Sequence, residues 1–166
     1  MSFIRISEFD SPPQGQAGEW YAPQDRPSSV RLDRDEAGAF SPPRPGPGAL
    51  VTTWSGVRIY KGGSDQRGAL VYMLKYPVPQ DYLWEFDAWF QIEHMPMLLE
   101  EPTWYGCEFF RALGPSGWSF AALHYVEPQA LKSDARNRSV DTPWWHRLKR
   151  HEWFDKQFER TLMRAL

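Results

Sequence analysis

Cysteine is all but missing from this chain. Cys107 stands alone among 166 residues, so neither an intrachain disulfide nor a thiolate metal cluster can form within one copy, and a reducing cytosol is the expected compartment. Long apolar runs are absent too: nowhere do about 18 consecutive apolar residues occur, the length a membrane helix needs. The opening MSFIRISEFD carries acidic residues where a signal peptide would be apolar, so a cytoplasmic protein without membrane contact is expected. Charge of one sign is lacking, since 19 Lys and Arg against 21 Asp and Glu leave a formal −2, which argues against nucleic acid as a partner. No GxGxxG, GxxxxGK[ST] or GxSxG occurs, which removes support for dinucleotide, P-loop and α/β-hydrolase chemistry. The four histidines, at 94, 124, 146 and 151, show no HxH or HxxxH spacing, so no metal site is expected.

What the chain has in excess is rings. Aromatic residues make up 16%, nine of them Trp, a composition that suits a flat apolar ligand pocket, an aromatic subunit interface or simply a core built of rings. Pro and Gly concentrate before residue 80. Residues 1–48 begin with a short alternating run, Phe3–Ile6, and pass through SPPQGQAGEWYAPQDRP and FSPPRPGPG. They read as a Pro/Gly-rich N-terminal arm laid over a surface, with room for a short strand at Val30–Leu32. Trp20, Tyr21 and Phe40 are costly to leave in water and predict that the arm docks.

Residues 49–166 read as the main domain. LVTTWSGVRIY and ALVYMLKYP flank GGSDQRG and suggest a hairpin. A helix follows over Pro79–Leu99, then strands in WYGCEFFRA and WSFAALHYVE, a short helix within Pro128–Val140, and another starting at Pro143 after Asp141 and Thr142. Phe154, Phe158, Leu162 and Ala165 keep helical spacing to the end. The order β, α, β, β, α describes an α+β protein with an antiparallel sheet and helices on one face. The other face needs a cover, which a second copy would supply in a homodimer, the N-terminal arm being the alternative. No internal repeat is long enough to mark a duplicated domain.

The stretch Trp84–Trp104, WEFDAWFQIEHMPMLLEEPTW, puts a titratable His94 beside an apolar helical stripe of Leu83, Phe86, Phe90 and Met97. Pro96 lacks an N–H, so the helix should kink or restart around Ile92–Pro96. The wording FDAWFQIEHMPMLLEEPTWYGCEFFRAL resembles the pattern F-x-x-W-[YF]-x-x-E-H-x-P-x-L-L-x-x-P-G-[WF], followed by a strand ending in Arg, of EthD-like proteins in the dimeric α+β barrel superfamily. FAALHYVEPQALKSDARNRSVDTPWWHRL resembles the same family's strand, short helix and D-T-P-W segment. The likeness covers about residues 68–166, with Thr103 in place of the usual Gly. It implies a ferredoxin-like sheet that closes a barrel from two subunits, a last strand in place of part of the C-terminal helix, and a small-molecule activity. Some relatives of this fold hold haem through one axial histidine, so the resemblance admits haem; otherwise no cofactor is expected.

His94 is the first candidate for acid/base chemistry, since imidazole is readily tuned to exchange protons. His124 is the second: strand alternation puts it on a face with Trp118, Phe120 and Ala122, opposite Tyr125. Glu108 would need a partner if buried, and Tyr72 could donate to a developing enolate oxygen. Trp89, Phe90, Met97, Tyr76, Trp104, Trp118, Phe120 and Tyr125 are the expected substrate-binding walls. Together these predict proton transfer on an apolar aromatic or polyketide-like substrate, namely isomerisation, cyclisation or elimination. Oxygen chemistry in the same pocket and non-catalytic ligand binding or assembly are the alternatives.

Overall fold

A computed structural model describes residues 1–11, 13, 18–38, 40 and 48–166. Much of the Pro/Gly-dense sequence assigned to the arm, at 12, 14–17, 39 and 41–47, lies outside the described residues. The second half of the chain is a βαββαβ unit: β5 (Leu70–Tyr76), helix α1 (Leu83–Trp89) continuing through a π-turn (Phe90–His94) into α2 (Met95–Leu98), β6 (Trp104–Ala112), β7 (Phe120–Val126), the short helices α3 (Asp134–Ser139), α4 (Pro143–Leu148) and α5 (Glu152–Asp155), and β8 (Glu159–Ala165). Its strands lie in the order β8-β5-β7-β6, all antiparallel. Thr142 caps α4 by accepting from the Trp145 N–H, with Pro143 in the first turn, as the sequence implied.

The first half supplies β1 (Phe3–Phe9), β2 (Glu19–Pro23), β3 (Ser29–Asp35) and β4 (Leu50–Gly63). These stand in the order β2-β3-β1-β4, which is the order of β6-β7-β5-β8 counted within its own half. Strand topology is thus repeated although no sequence repeat is visible. The two sheets join at two seams, β2 with β8 and β4 with β6, and close an eight-stranded antiparallel barrel within one chain. Residues 1–48 therefore supply three barrel strands and do not merely overlie a finished surface. The sheet face for which a second copy was invoked is covered by β1–β4 of the same chain, so two copies would have to pair elsewhere.

Two local expectations change. β4 pairs with β1 and β6, and β5 with β7 and β8, so the expected hairpin between them does not form. The C-terminal segment is a strand from Glu159, because Thr161 and Met163 alternate inward while pairing to β5 satisfies its backbone. Two separate cores result. Ile4, Ile6, Val30, Leu32, Val71, Met73, Leu123 and Met163 fill the lumen, whereas Leu70, Leu74, Phe86, Phe90, Phe109, Phe120 and Phe154 fill the space between the second sheet and its helices. No helix among the described residues is long and apolar enough to cross a membrane.

Candidate active site

Two one-residue irregularities shape the site. In a regular helix, eleven residues at about 100° each bring Met97 back under Phe86. The π-turn at Phe90–His94 takes up one extra residue, so Met95 and Leu98 are buried and Met97 sits half-exposed away from the pocket. His94 is swung in beneath Trp89, its ring stacked on the indole at 4.4 Å. Such turns recur at functional positions. In β6 the register shifts between Trp104 and Gly106, leaving Tyr105 as a bulge. That places Trp104 on the helix-facing side together with Cys107 and Phe109, where a regular strand would put it on the opposite face.

Between the second sheet and its helices lies a cavity of about 340 Å³ walled by Tyr72, Tyr76, Trp89, His94, Trp104 and His124 at depth, with Trp145, Phe154 and Phe158 from the C-terminal segment. The two histidines pack against the same Phe90 ring, at 5.7 and 6.0 Å. Their tautomers follow from their partners. Trp104 Nε1, which can only donate, meets His124 Nδ1 at 3.2 Å, so His124 carries its proton on Nε2. His94 Nδ1 meets the Ser139 carbonyl at 3.3 Å, which can only accept, so His94 carries its proton on Nδ1 and keeps a free lone pair on Nε2. Burial lowers His94 to about 4, the Ser139 contact opposing this and Arg136 adding to it. Burial lowers His124 to about 3, with His94 adding to the effect. Both rings are therefore neutral near pH 7, one presenting a base and the other a donor.

The structure brings His94, His124, Tyr72, Tyr76, Trp89 and Trp104 together and separates the rest. Phe90 and Phe120 lie beneath the cavity as fully buried core, each stacked on Phe109. Trp118 precedes β7, whose alternation begins only at Phe120, and packs on the lumen side with Lys75 over its ring. Glu108 and Tyr125 face the lumen, on the opposite side of the sheet from the histidines. There the Glu108 carboxylate is held by Arg34 (2.7 Å), Arg58 (2.9 Å) and Tyr125 (2.5 Å). Burial works against its ionisation, but Arg34 with Tyr125 and Arg58 takes it down to about 2. Arg136, Lys149 and Arg160 also line the cavity; no local pattern marks them, since they lie on surface-like basic segments whose placement depends on the tertiary fold. Among the described residues no three His, Cys, Asp or Glu come together; to a metal or haem the cavity lining offers two imidazoles and, apart from them, the Asp155 carboxylate beside Lys149.

No protein-family model and no curated protein sequence matches this chain. Solved structures do. A ferredoxin-fold protein from Listeria monocytogenes, described as related to antibiotic biosynthesis monooxygenases, superposes with a TM-score of 0.62 at 10% identity, covering 100% of this chain and 95% of its own. An anthrone oxidase-like protein gives 0.61 at 9% identity over 99% and 91%. A major regulator of staphylococcal pathogenesis gives 0.62 at 10% identity over the whole of both chains. The chain thus has the ferredoxin-like α+β barrel fold, shared with structural neighbours that include relatives of antibiotic biosynthesis monooxygenases. Identities this low carry fold and no activity.

Proposed function

We propose that the protein abstracts a proton from a flat aromatic or polyketide-like substrate held between the second sheet and its helices, without an organic cofactor. The observation that carries this is the pair of buried neutral histidines whose tautomers are set oppositely. His94 Nε2 accepts the proton and His124 Nε2–H donates to the oxygen on which negative charge develops, as a neutral imidazole does when it polarises a carbonyl. Tyr72, its ring 6.0 Å from that of His124, is placed to share that role. Trp89 Nε1 is buried without a hydrogen-bond partner among the described residues, which leaves a further donor for the substrate. A base held near 4 takes protons efficiently only from acids whose anion is delocalised. Phenols and enolisable polycyclic ketones meet that condition, and the aromatic walls suit their shape. The likeness of residues 86–113 to EthD-like proteins supports the same histidine.

Proton loss could lead on to isomerisation, cyclisation or elimination, with the substrate anion as common intermediate. The second reading, oxygenation, is favoured by the names of the structural neighbours and begins with the same deprotonation. The carbanion then meets O₂, and a ring CH₂ plus O₂ becomes a ring C=O plus water. Anthrone separates the two. Exchange of its methylene protons for deuterium should be accelerated by the protein and depressed roughly a hundredfold in His94→Gln. Anthraquinone formation with oxygen uptake would mark the oxygenase branch, and a Soret band in the purified protein would assign that branch to haem. Normal exchange in His94→Gln would remove this histidine from the reaction. No exchange by the wild type, with anthrone bound, would favour a binding protein.

A further inference from the structure

The histidines sit deep, at 8% and 1% exposure, while the charged part of the lining lies outward of them. Arg136 is half-buried in the wall, and Lys149 and Arg160 are exposed at the rim. Against these three cations the lining holds one carboxylate, Asp155, and it lies 4.0 Å from Lys149. Of the other carboxylates, Glu100 is engaged by Arg138, Glu152 by Lys156 and Glu159 by Lys75, and Asp134, two residues from Arg136 on α3, forms no ion pair with it. Arg136 and Arg160 have no carboxylate partner among the described residues. A guanidinium partly withdrawn from water and left without an anion is an unusual wall for an apolar pocket, and its planar fork matches a carboxylate in geometry. Arg136 also belongs to α3, the helix whose Ser139 carbonyl holds His94, so any anion on it has a fixed position relative to the base.

We infer that the substrate is an aromatic acid, seated with its ionisable C–H or O–H at the histidine pair and a ring carboxylate at the mouth, anchored by Arg136 with Arg160 and Lys149 completing the positive rim. This rests on the reading of the cavity as an aromatic substrate site. Binding at the mouth is felt equally in ground and transition states, so loss of Arg136 should act chiefly by raising KM, with a smaller change in kcat through its charge effect on His94.

Calorimetry on the full chain at pH 8 with 2-naphthoate and its neutral counterpart 2-naphthalenemethanol tests this. The acid should bind at least about tenfold more tightly than the alcohol, as expected for one charge-assisted contact. In Arg136→Gln that preference should vanish with alcohol binding held within about twofold, and Arg136→Lys should recover part of it. Equal affinity for both compounds, or an unchanged naphthoate affinity in Arg136→Gln, overturns the inference while leaving proton exchange at His94 standing. Failure of both compounds to bind overturns it together with the aromatic pocket.

Discussion

His94 and His124 are imidazoles that the fold keeps uncharged, and this couples acid to stability. Each has an ordinary value near 6.5 and a folded value of about 4 or about 3. Between those limits the unfolded chain binds more protons than the native one, so stability is full above about 6.5 and declines as pH falls toward 4. Glu108, lowered from 4.5 to about 2, adds a loss of the same sign at lower pH. Urea denaturation of the wild type should show a falling midpoint from pH 6.5 to 4, and the slope should flatten in the His94→Gln, His124→Gln double variant. The kcat/KM profile should run level from pH 8 down to about 5, where an ordinary histidine would already have lost half its activity near 6.5. His94 was legible in the sequence because a polar group beside an apolar stripe stands out. Its tautomer was not, since that depends on a carbonyl 45 residues away. Glu108 was legible as a carboxylate needing partners if buried, but its principal partner Arg34 lies in the stretch that sequence patterning read as an arm.

At the level of elements, the site depends on where regularity fails. The π-turn and the β6 bulge each add one residue, and periodicity templates count residues as if every turn were alike. The break near Pro96 could be anticipated from the missing N–H, but the resulting shift from Met97 to Met95 and Leu98 could not. The turn is tied to α4 by Thr142, which donates to Glu93 at 2.5 Å while accepting from the Trp145 N–H at 3.0 Å. Thr142→Val should therefore cost about 1 to 2 kcal/mol in denaturant titration, and because Thr142 does not line the cavity, proton exchange per folded molecule should be retained. Thr142→Ser should restore most of the stability.

On the scale of the whole molecule, the second half was legible from βαββα order, and the first half was not. β2 has only five residues, and β1–β3 are separated by Pro- and Gly-rich sequence, so their local pattern is weak. A chain reduced to residues 49–166 loses three of eight strands and bares Val71, Met73, Leu123 and Met163. Light scattering with a dye that reports apolar surface should show association and strong dye binding for that fragment. A monodisperse fragment with native far-UV and near-UV spectra would show that the barrel half stands alone.

A barrel assembled from two identical βαββαβ copies carries two equivalent helix-covered sheets, hence two equivalent pockets. Here the strand order occurs twice but, among the described residues, helices cover only one of the sheets, so the described part of each barrel has one sheet–helix cavity. Ligand titration should saturate at one equivalent per chain with a Hill coefficient of one, whatever the protein concentration. The other half is correspondingly released from duplicating any change made around the histidines, and a substitution near the cavity meets its consequences once per barrel, with no mirrored copy across a twofold axis.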